Sequence, residues 1–461
     1  MQDVLIKNGT IVTAAETFRA DVRIENGKIN ALGSTLEKSG AQVIDASGCY
    51  VMPGGVDVHT HLNLTVGDVK VSDGFFEGTA AAAFGGTTCI VEHPGFGPDG
   101  CSLMHQIQAY KAEAAGECVV DFGLHGVVQH LAPQILDELP VLMANGVSSL
   151  KIYLTYTGRL EDRQILQILD CAQKTGMYCA FHAENHAIID YLTHQFLEKG
   201  SLSPEFHPKS RPDACEAEAV HRILRLAETV GNAPVYIVHL STKRGLRIIE
   251  AARNQGLPVT AEVCPQHLLL NDSCYREPDH QGLKYIMAPP ARKPKDSAAL
   301  WKGLSQGSIA VVATDHCSFS LKEKILRGKD NFSRCPGGIP GVETRLPLLF
   351  SEGVLQHRIS LNRFVEVVST APARLIGLYP AKGNLNPGAD ADVVVFDPNA
   401  EKTLTSQALR QNADYSPFEG RIVRGWPVTT LVRGRVVMHR GELLAEKGWG
   451  KFTGRGSSGR P

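Results

Sequence analysis

Histidine and aspartate side chains stand at the ends of several apolar, β-like runs of this sequence. His59 and His61 flank Thr60, so on an extended backbone both imidazoles point to the same side. The other such residues are His182, His239 and Asp315. One histidine at a strand end is more often a structural residue than a ligand, but this recurrence at the same end of separate strands predicts a metal site. Imidazole nitrogen and carboxylate oxygen suit zinc, and also manganese, iron or cobalt.

Lys151 lies near the end of another run of this kind and is the remaining candidate ligand. Four histidines and one aspartate exceed what a single catalytic ion needs, since such an ion keeps an open position. We therefore expect two divalent ions, which need a bridging anion. A free ammonium would be repelled there, whereas a deprotonated lysine can react with carbon dioxide to give a bridging carbamate. The sequence thus predicts carboxylation of Lys151 to N6-carboxylysine, with carbon dioxide as a further cofactor.

The elements that must position these residues alternate through the middle of the chain. Apolar, β-branched runs are mostly separated by amphipathic stretches of helical length, such as residues 163–172. Eight such units in about 330 residues favour an eight-stranded β/α (TIM-type) barrel with helices outside a parallel sheet. A doubly wound open sheet is the alternative. The eight runs are residues 56–59, 87–92, 119–124, 148–153, 178–182, 235–239, 259–263 and 309–315.

Short strands and hairpin signals mark both ends of the chain. The dipeptides Asn26-Gly27 and Arg433-Gly434 each separate two β-like runs. Neither end has enough apolar residues for its own core, so we expect the two ends to pair into one small β-sandwich domain. The predicted organisation is a β-sandwich domain in two parts, residues 1–52 and 378–447, a metal-binding β/α barrel over residues 53–377, and a Gly-rich, basic, flexible tail over residues 448–461.

Composition excludes several classes of protein. Of 461 residues, 43% are hydrophobic and 21% are charged, as in a globular protein with a buried core. The 47 Lys and Arg residues balance 48 Asp and Glu residues, so no basic field attracts nucleic acid or an anionic membrane. No apolar run approaches the roughly 18 residues that span a bilayer. Eleven cysteines without a C-x-x-C pair favour reduced thiols and a cytoplasmic location.

Several motifs follow one another along nearly the whole chain. They are residues 53–61 (PGGVDVHTH), 78–82 with 85–88, 151–156 (KIYLTY), 182–185 (HAEN), 238–241 (VHLS), 262–266 (EVCPQ), 314–317 (TDHC) and 388–395 (GADADVVV). As a set they resemble the hydantoinase and dihydropyrimidinase family of the metal-dependent amidohydrolases. Residues 95–98 (GFGP) and 412–417 (NADYSP) are most similar to its bacterial D-phenylhydantoinase branch.

The resemblance implies a role for each candidate residue of the metal site. Carboxylated Lys151 would bridge the two ions, and Asp315 would also serve as the general base and then the general acid. The ligands of one ion would be His59, His61 and Asp315, and those of the other His182 and His239.

The resemblance also implies how a substrate is held. Tyr156 would hydrogen-bond the carbonyl oxygen as it becomes an oxyanion. Backbone groups of a Ser before Pro-Pro and of an Asn in a Cys-Pro-Asn-Gly stretch hold the substrate amide in the family, and Ala288 and Gly337 occupy those positions here. Loops over residues 62–72, 95–99 and 153–160 would contact the exocyclic substituent of the ring.

The activity implied is hydrolytic opening of a small cyclic amide, such as a 5-substituted hydantoin or a dihydropyrimidine, to an N-carbamoyl amino acid, with D selectivity. A homotetramer or homodimer is expected. The first alternatives are an allantoinase or a dihydroorotase, but Leu62 and Asn63 follow His61 where dihydroorotases usually place an arginine for an acidic substituent. A non-catalytic scaffold relative is the other alternative. It is disfavoured because all six ligand positions are filled.

Overall fold

Parallel strands and helices alternate through the middle of the chain. The computed structural model describes residues 2–37 and 40–456. The parallel strands are β8 (Gly55–Thr60), β11 (Thr87–Glu92), β12 (Asp121–Leu124), β13 (Gly126–Val128), β14 (Ser149–Tyr153), β15 (Tyr178–His182), β16 (Val235–Ile237), β17 (Val259–Val263) and β18 (Val311–Val312). They form one sheet of order β12–β11–β8 and a second of order β13–β14–β15–β16–β17–β18. Each of the eight predicted runs overlaps one of these strands, and the ninth strand, β13, lies outside them.

Helices follow most of these strands, as the amphipathic stretches predicted. Helix α5, for example, begins with a capping box between Glu161 and Gln164 and ends at Gly176, whose φ of 76° is left-handed. The helices are α1 (Phe75–Phe84), α2 (Leu103–Ala114), α3 (Pro133–Asp137), α4 (Leu139–Ala144), α5 (Asp162–Thr175), α6 (His186–Glu198), α7 (His207–Ser210), α8 (Asp213–Thr229), α9 (Lys243–Asn254), α10 (Pro265–Leu269), α11 (Pro294–Gln306), α12 (Leu321–Gly328), α13 (Arg345–Leu349), α14 (Leu361–Val365) and α15 (Ala371–Leu375).

Strands from both chain ends pair with one another, as predicted. Their bounds are β1 (Val4–Lys7), β2 (Thr10–Val12), β3 (Thr17–Arg19), β4 (Asp21–Glu25), β5 (Lys28–Gly33), β6 (Gln42–Asp45), β7 (Tyr50–Pro53), β19 (Val393–Thr403), β20 (Ile422–Val432), β21 (Arg435–His439) and β22 (Glu442–Leu443). Two short strands that follow β8, β9 (Thr65–Val66) and β10 (Val69–Lys70), form a separate two-stranded sheet. A four-stranded sheet has the order β5–β4–β1–β6, and a mixed sheet has the order β22–β21–β20–β19–β7–β2–β3. The two sheets share one buried apolar cluster, in which Ile6 and Ile24 of the first meet Val51 and Val395 of the second.

The C-terminal segment differs from the predicted flexible tail. The backbone of Phe122 in β12 bonds to Lys451 O at 3.0 Å and accepts from Thr453 N at 2.7 Å. Arg455 is buried and donates to Ser149 Oγ at 2.9 Å. The Gly-rich composition suggested mobility, but a Cβ on Gly450 would overlap a carbonyl oxygen of the sheet region, so glycine here permits close packing. The prediction is therefore wrong for residues 448–456, and residues 457–461 lie outside the described part.

Within residues 2–37 and 40–456, none of the helices combines the length and the apolar character that crossing a membrane requires. The domain boundaries at residues 52/53 and 377/378 remain predictions.

Candidate metal and active site

Two histidines near the end of β8 converge on one carboxylate. Nε2 of His59 lies 3.1 Å from Oδ1 of Asp315, and Nε2 of His61 lies 3.2 Å from the same oxygen. The backbone holds this arrangement, since Asp315 N donates to His59 O at 2.9 Å. Three of the predicted ligands therefore meet in space, although more than 250 residues separate Asp315 from the two histidines along the chain.

The other three predicted ligands lie next to this group. Nδ1 of His182, in β15, is 2.9 Å from Nε2 of His239, which follows β16. Nζ of Lys151, in β14, is 3.4 Å from Nε2 of His59, and the rings of His59 and His239 are 5.4 Å apart. Lys151 is 1% exposed. The structure thus brings all six predicted ligand residues together around a buried lysine amine.

The ring of one histidine in each pair is oriented by a buried glutamate that sequence reasoning did not assign. Glu262 Oε1 is 2.8 Å from Nδ1 of His59, and Glu184 Oε2 is 2.9 Å from Nε2 of His182. Both contacts leave the opposite ring nitrogen facing the other ligands, as in metal sites whose histidines are held by carboxylates. Glu184 also accepts from Arg211 Nη1 at 2.5 Å. Both glutamates stand in motifs quoted above, and the position of Glu184 two residues after a ligand histidine was an available signal.

Three site residues other than glycine have left-handed backbone conformations. The φ angles are 38° for His239, 53° for Asp315 and 70° for Tyr156. Such conformations are costly for residues with a Cβ and cluster at functional sites. Each of these residues follows the end of a parallel strand: Tyr156 follows β14, His239 follows β16 and Asp315 follows β18. The left-handed conformation turns the chain out of the strand direction there and directs the side chain toward the other site residues.

Burial and neighbouring charges favour the ligand forms of Lys151, His239 and Asp315. For His59, burial acts to lower the pKa, but Glu262 and Asp315 more than offset it and raise the pKa. Burial lowers the pKa of the Lys151 ammonium to about 8, which favours the neutral amine that carboxylation requires. Burial also holds the pKa of His239 well below its usual value, so its imidazole is neutral at neutral pH. For Asp315, burial acts to raise the pKa, but His59 and His61 more than offset it and the pKa lies well below the usual range.

The donor set fits divalent metal ions. Imidazole nitrogens and a carboxylate oxygen are ligands of zinc and related ions, and they meet here without an apolar side chain between the contacting atoms. Two groups in the described part of the chain have ligand atoms that lie close enough to share an ion: His59, His61 and His93, and His59, His239 and Asp315. Nδ1 of His61 and Nδ1 of His239 are buried without a hydrogen-bond partner among the described residues.

His93 is a site neighbour that sequence reasoning missed. Its ring centroid lies 4.2 Å from that of His59, and on its other side 4.1 Å from that of His125, with which it stacks. The side chain is fully buried, and neither ring nitrogen has a partner among the described residues. The signal was available, because His93 directly follows the apolar run that forms β11.

Tyr156 borders the metal-ligand group, as its predicted role requires. Its ring centroid is 5.1 Å from that of His182, and its side chain is 38% exposed, so it is open to a ligand. The guanidinium of Arg211 lies 5.8 Å from the ring centroid of Tyr156. Nearby, the ring centroids of Phe96 and Tyr153 are 5.4 Å apart. This contact joins the loops over residues 95–99 and 153–160, two of those predicted to contact the exocyclic substituent of the ring.

Ala288 and Gly337 lie on two segments that are bonded to each other. Gly338 N donates to Ile286 O at 3.0 Å. Beyond Gly337, Ile339 O accepts from Cys317 N at 3.0 Å, two residues after Asp315. The structure therefore links the predicted substrate segments to each other and to the strand end that carries a predicted ligand.

A parallel β/α architecture with imidazole nitrogens and a carboxylate oxygen gathered at the strand ends is typical of β/α proteins that bind metal ions. The model of the amidohydrolase family matches residues 50–437, and the chain belongs to this family. It is 48% identical over 453 residues to a D-phenylhydantoinase of Escherichia coli O1:K1 / APEC, covering 98% of each chain. The family resemblance carried by the motifs is thereby confirmed.

Solved structures of the same family match over the full length. A crystal structure of dihydropyrimidinase from Brevibacillus agri NCHU1002 has a TM-score of 0.98 at 39% identity and covers 100% of both chains. An L-hydantoinase (dihydropyrimidinase) from Arthrobacter aurescens has a TM-score of 0.90 at 32% identity and covers 99% of this chain and 100% of its own. The same fold is therefore found in a solved structure named for the L enantiomer.

Proposed function

We propose that this protein hydrolyses the ring amide of 5-substituted hydantoins, and of dihydropyrimidines, to N-carbamoyl amino acids. The observation that carries the proposal is the convergence of His59, His61 and Asp315 beside the buried amine of Lys151. The relatives named D-phenylhydantoinase and dihydropyrimidinase support this substrate class. We propose D selectivity because the D-phenylhydantoinase relative is 48% identical, against 32% for the L-hydantoinase.

We propose that the six predicted ligands hold two divalent ions, divided between them as the family resemblance implies; the contacts among these residues support the proposal. His59, His61 and Asp315 would hold one ion, His182 and His239 the other, and carboxylated Lys151 would bridge both. We propose zinc, with manganese, iron or cobalt able to replace it. When bound, such ions supply an activated water and polarise the substrate carbonyl, since divalent metals lower the pKa of water from about 15.7 to about 7.

The side chains of this chain would perform the proton transfers. The Asp315 carboxylate, ionised because its pKa lies well below the usual range despite burial, can take a proton from the attacking water and return it to the leaving ring nitrogen. The Tyr156 hydroxyl would donate a hydrogen bond to the carbonyl oxygen as negative charge develops on it. Backbone groups of Ala288 and Gly337 would hold the ring amide, which needs no particular side chain at either position.

A turnover panel tests this function directly. The purified, metal-loaded protein would be assayed with 5-phenylhydantoin enantiomers, dihydrouracil, allantoin and dihydroorotate, and the metal content measured on the same sample. We expect about two metals per chain, turnover of the first two classes and preference for the D enantiomer. Turnover of allantoin or dihydroorotate alone would contradict the proposal. Loss of all turnover in a fully loaded sample would instead favour a scaffold relative.

We also propose that the two parallel sheets close into one TIM-type barrel. A parallel bridge pairs Thr60 of β8 with His316 beyond β18, and His61 N donates to His316 O at 2.8 Å. Alternate residues of strands in both sheets share one apolar cluster, including Val58 and Tyr236. Such contacts across the ends of the sheets are those that a closed barrel requires.

A cytoplasmic homotetramer or homodimer completes the proposal. All eleven cysteines are free of disulfides, which suits a reducing compartment.

A further inference from the structure

Lys324 is a buried lysine without an acidic partner. It lies in α12, its side chain is fully buried, and its amine forms no ion pair with a carboxylate of residues 2–37 and 40–456. Instead, Nζ donates to Ile286 O at 2.7 Å and to Pro336 O at 3.0 Å. Removing an ammonium from water is costly unless its donors are used, so this placement needs a reason.

The two acceptors identify what the amine joins. Ile286 lies two residues before Ala288, and Pro336 lies directly before Gly337. Ile286 O also accepts from Gly338 N at 3.0 Å, so one carbonyl receives a donor from α12 and another from the opposite segment. Charge-assisted bonds are roughly twice as strong as neutral ones, and a single ammonium can serve both carbonyls because it has three donors.

Core filling alone does not account for this lysine. Gly328, one turn further along α12, already packs so closely on Cys335 that an added Cβ would lie 2.7 Å from Cys335 Cβ. An apolar side chain of similar length at position 324 would keep that packing and avoid the cost of burying a charge. What an apolar side chain cannot do is hold the carbonyls of two separate segments at a fixed distance from one another.

We propose that Lys324 is a positioning residue that sets the separation between the backbone segments of Ala288 and Gly337 and thereby the size of ring that is accepted. The inference rests on the proposed function, in which these two segments hold the ring amide. It goes beyond that function because it assigns the discrimination between five- and six-membered rings to a side chain that touches neither ring.

The experiment compares Lys324→Met, which keeps length without donors, with Lys324→Gln, which keeps one donor. Lys322→Met is the matched control, since Lys322 is exposed on the same helix. Hydrogen exchange of peptides covering residues 284–291 and 333–341 is measured in all proteins, together with metal content and kinetics on phenylhydantoin and dihydrouracil. In Lys324→Met we expect faster exchange in both segments, a KM raised roughly tenfold with kcat changed much less, and an altered ratio of kcat/KM between the two rings.

Each outcome decides the proposal. Lys324→Gln should fall between wild type and Lys324→Met, and Lys322→Met should match wild type, with metal content equal in all proteins. Unchanged exchange, KM and ring ratio in Lys324→Met, or a lowered thermal midpoint alone, would overturn the positioning role. If wild type hydrolyses neither ring, the proposed function fails separately, and exchange in the two segments still decides whether Lys324 holds them.

Discussion

Nε2 of His182 lies 2.9 Å from Oε2 of Glu184, and both side chains are buried. Although burial acts to raise it, the positive charge of Arg211 and the contact with His182 lower the pKa of Glu184 to about 2. The glutamate is therefore an anion that holds Nε2 of the imidazole, which leaves Nδ1 directed at His239. A ligand histidine held in this way loses little conformational freedom when it binds an ion.

Replacing this carboxylate tests its effect on the metal. Glu184→Gln should weaken metal binding by roughly 10–100-fold, because the amide holds His182 less firmly and leaves Arg211 without its anion. The measurement is competition with a chelator, read by metal analysis. The exposed Glu198→Gln on α6 is the matched control. Equal affinity in the two variants would show that Glu184 does not support the site.

Lys151→Ala should remove both metal and activity, because it deletes the buried amine beside His59 that would, once carboxylated, supply the bridging anion. Metal content and turnover are measured after reloading with zinc and bicarbonate. Lys199→Ala changes an exposed lysine in the same way and should behave as wild type. Wild-type metal content and turnover in Lys151→Ala would exclude the bridging role.

Tyr156→Phe should lower kcat far more than it weakens metal binding. Removing one preorganised oxyanion donor typically costs roughly 10²–10³-fold in kcat. Steady-state kinetics and metal analysis of the same sample separate the two effects, with the 62% exposed Tyr191→Phe as control. An unchanged kcat in Tyr156→Phe would show that the Tyr156 hydroxyl does not stabilise the oxyanion.

Much of the fold could be predicted because strand periodicity is a local property. The eight apolar runs each overlap a strand, yet the run over residues 309–315 forms a strand only at Val311–Val312. The strand ends early because the chain turns before the site. Asp315 has a φ of 53°, outside the strand conformation, and its backbone N–H bonds to His59 O. Hydrophobic pattern does not report such a turn.

The residues that support the site were less predictable. Glu262 is 203 positions from the His59 ring that it holds, so only the folded chain reveals the pairing. His93, Arg211 and Lys324 likewise acquire meaning from contacts between segments that are distant in sequence. Candidate ligands can be proposed from the residues at strand ends, whereas their hydrogen-bond partners depend on packing.

Gly337→Asn should be tolerated. No atom lies within 4 Å of a Cβ built on Gly337, so the side chain has open space. Replacing glycine where the backbone allows it reduces the freedom of the unfolded chain, so stability should stay equal or rise by up to about 1 kcal/mol. Thermal unfolding measures this. A clearly lowered midpoint would show that the segment requires glycine, and Gly338→Asn, at a φ of 151° against Cys317, should be the destabilised comparison.

The buried carboxyl of Glu343 should make the free energy of unfolding depend on pH. Its carboxyl is fully buried, Oε2 accepts from Arg410 N at 2.6 Å, and Lys402 Nζ is 3.9 Å from Oε1. Burial raises the pKa to about 7 from an ordinary value of 4.5, since the hydrogen bond and Lys402 offset the lost hydration only in part. The folded state therefore binds this proton more tightly than the unfolded state does.

The sign follows from that difference. Between about pH 4.5 and pH 7 the folded protein holds more protons at this site than the unfolded chain, so the free energy of unfolding falls as pH rises through this window. A pKa difference of this size contributes roughly 3 kcal/mol to the free energy of unfolding. This contribution is present in full below pH 4.5 and is lost above pH 7. Glu343→Gln has no such proton, so its stability relative to wild type should increase from pH 5 to pH 8. Differential scanning calorimetry of both proteins from pH 5 to pH 8 measures the difference in stability, with the exposed Glu198→Gln variant as the control. Parallel curves for wild type and Glu343→Gln would mean that this carboxyl titrates alike in the folded and unfolded chain.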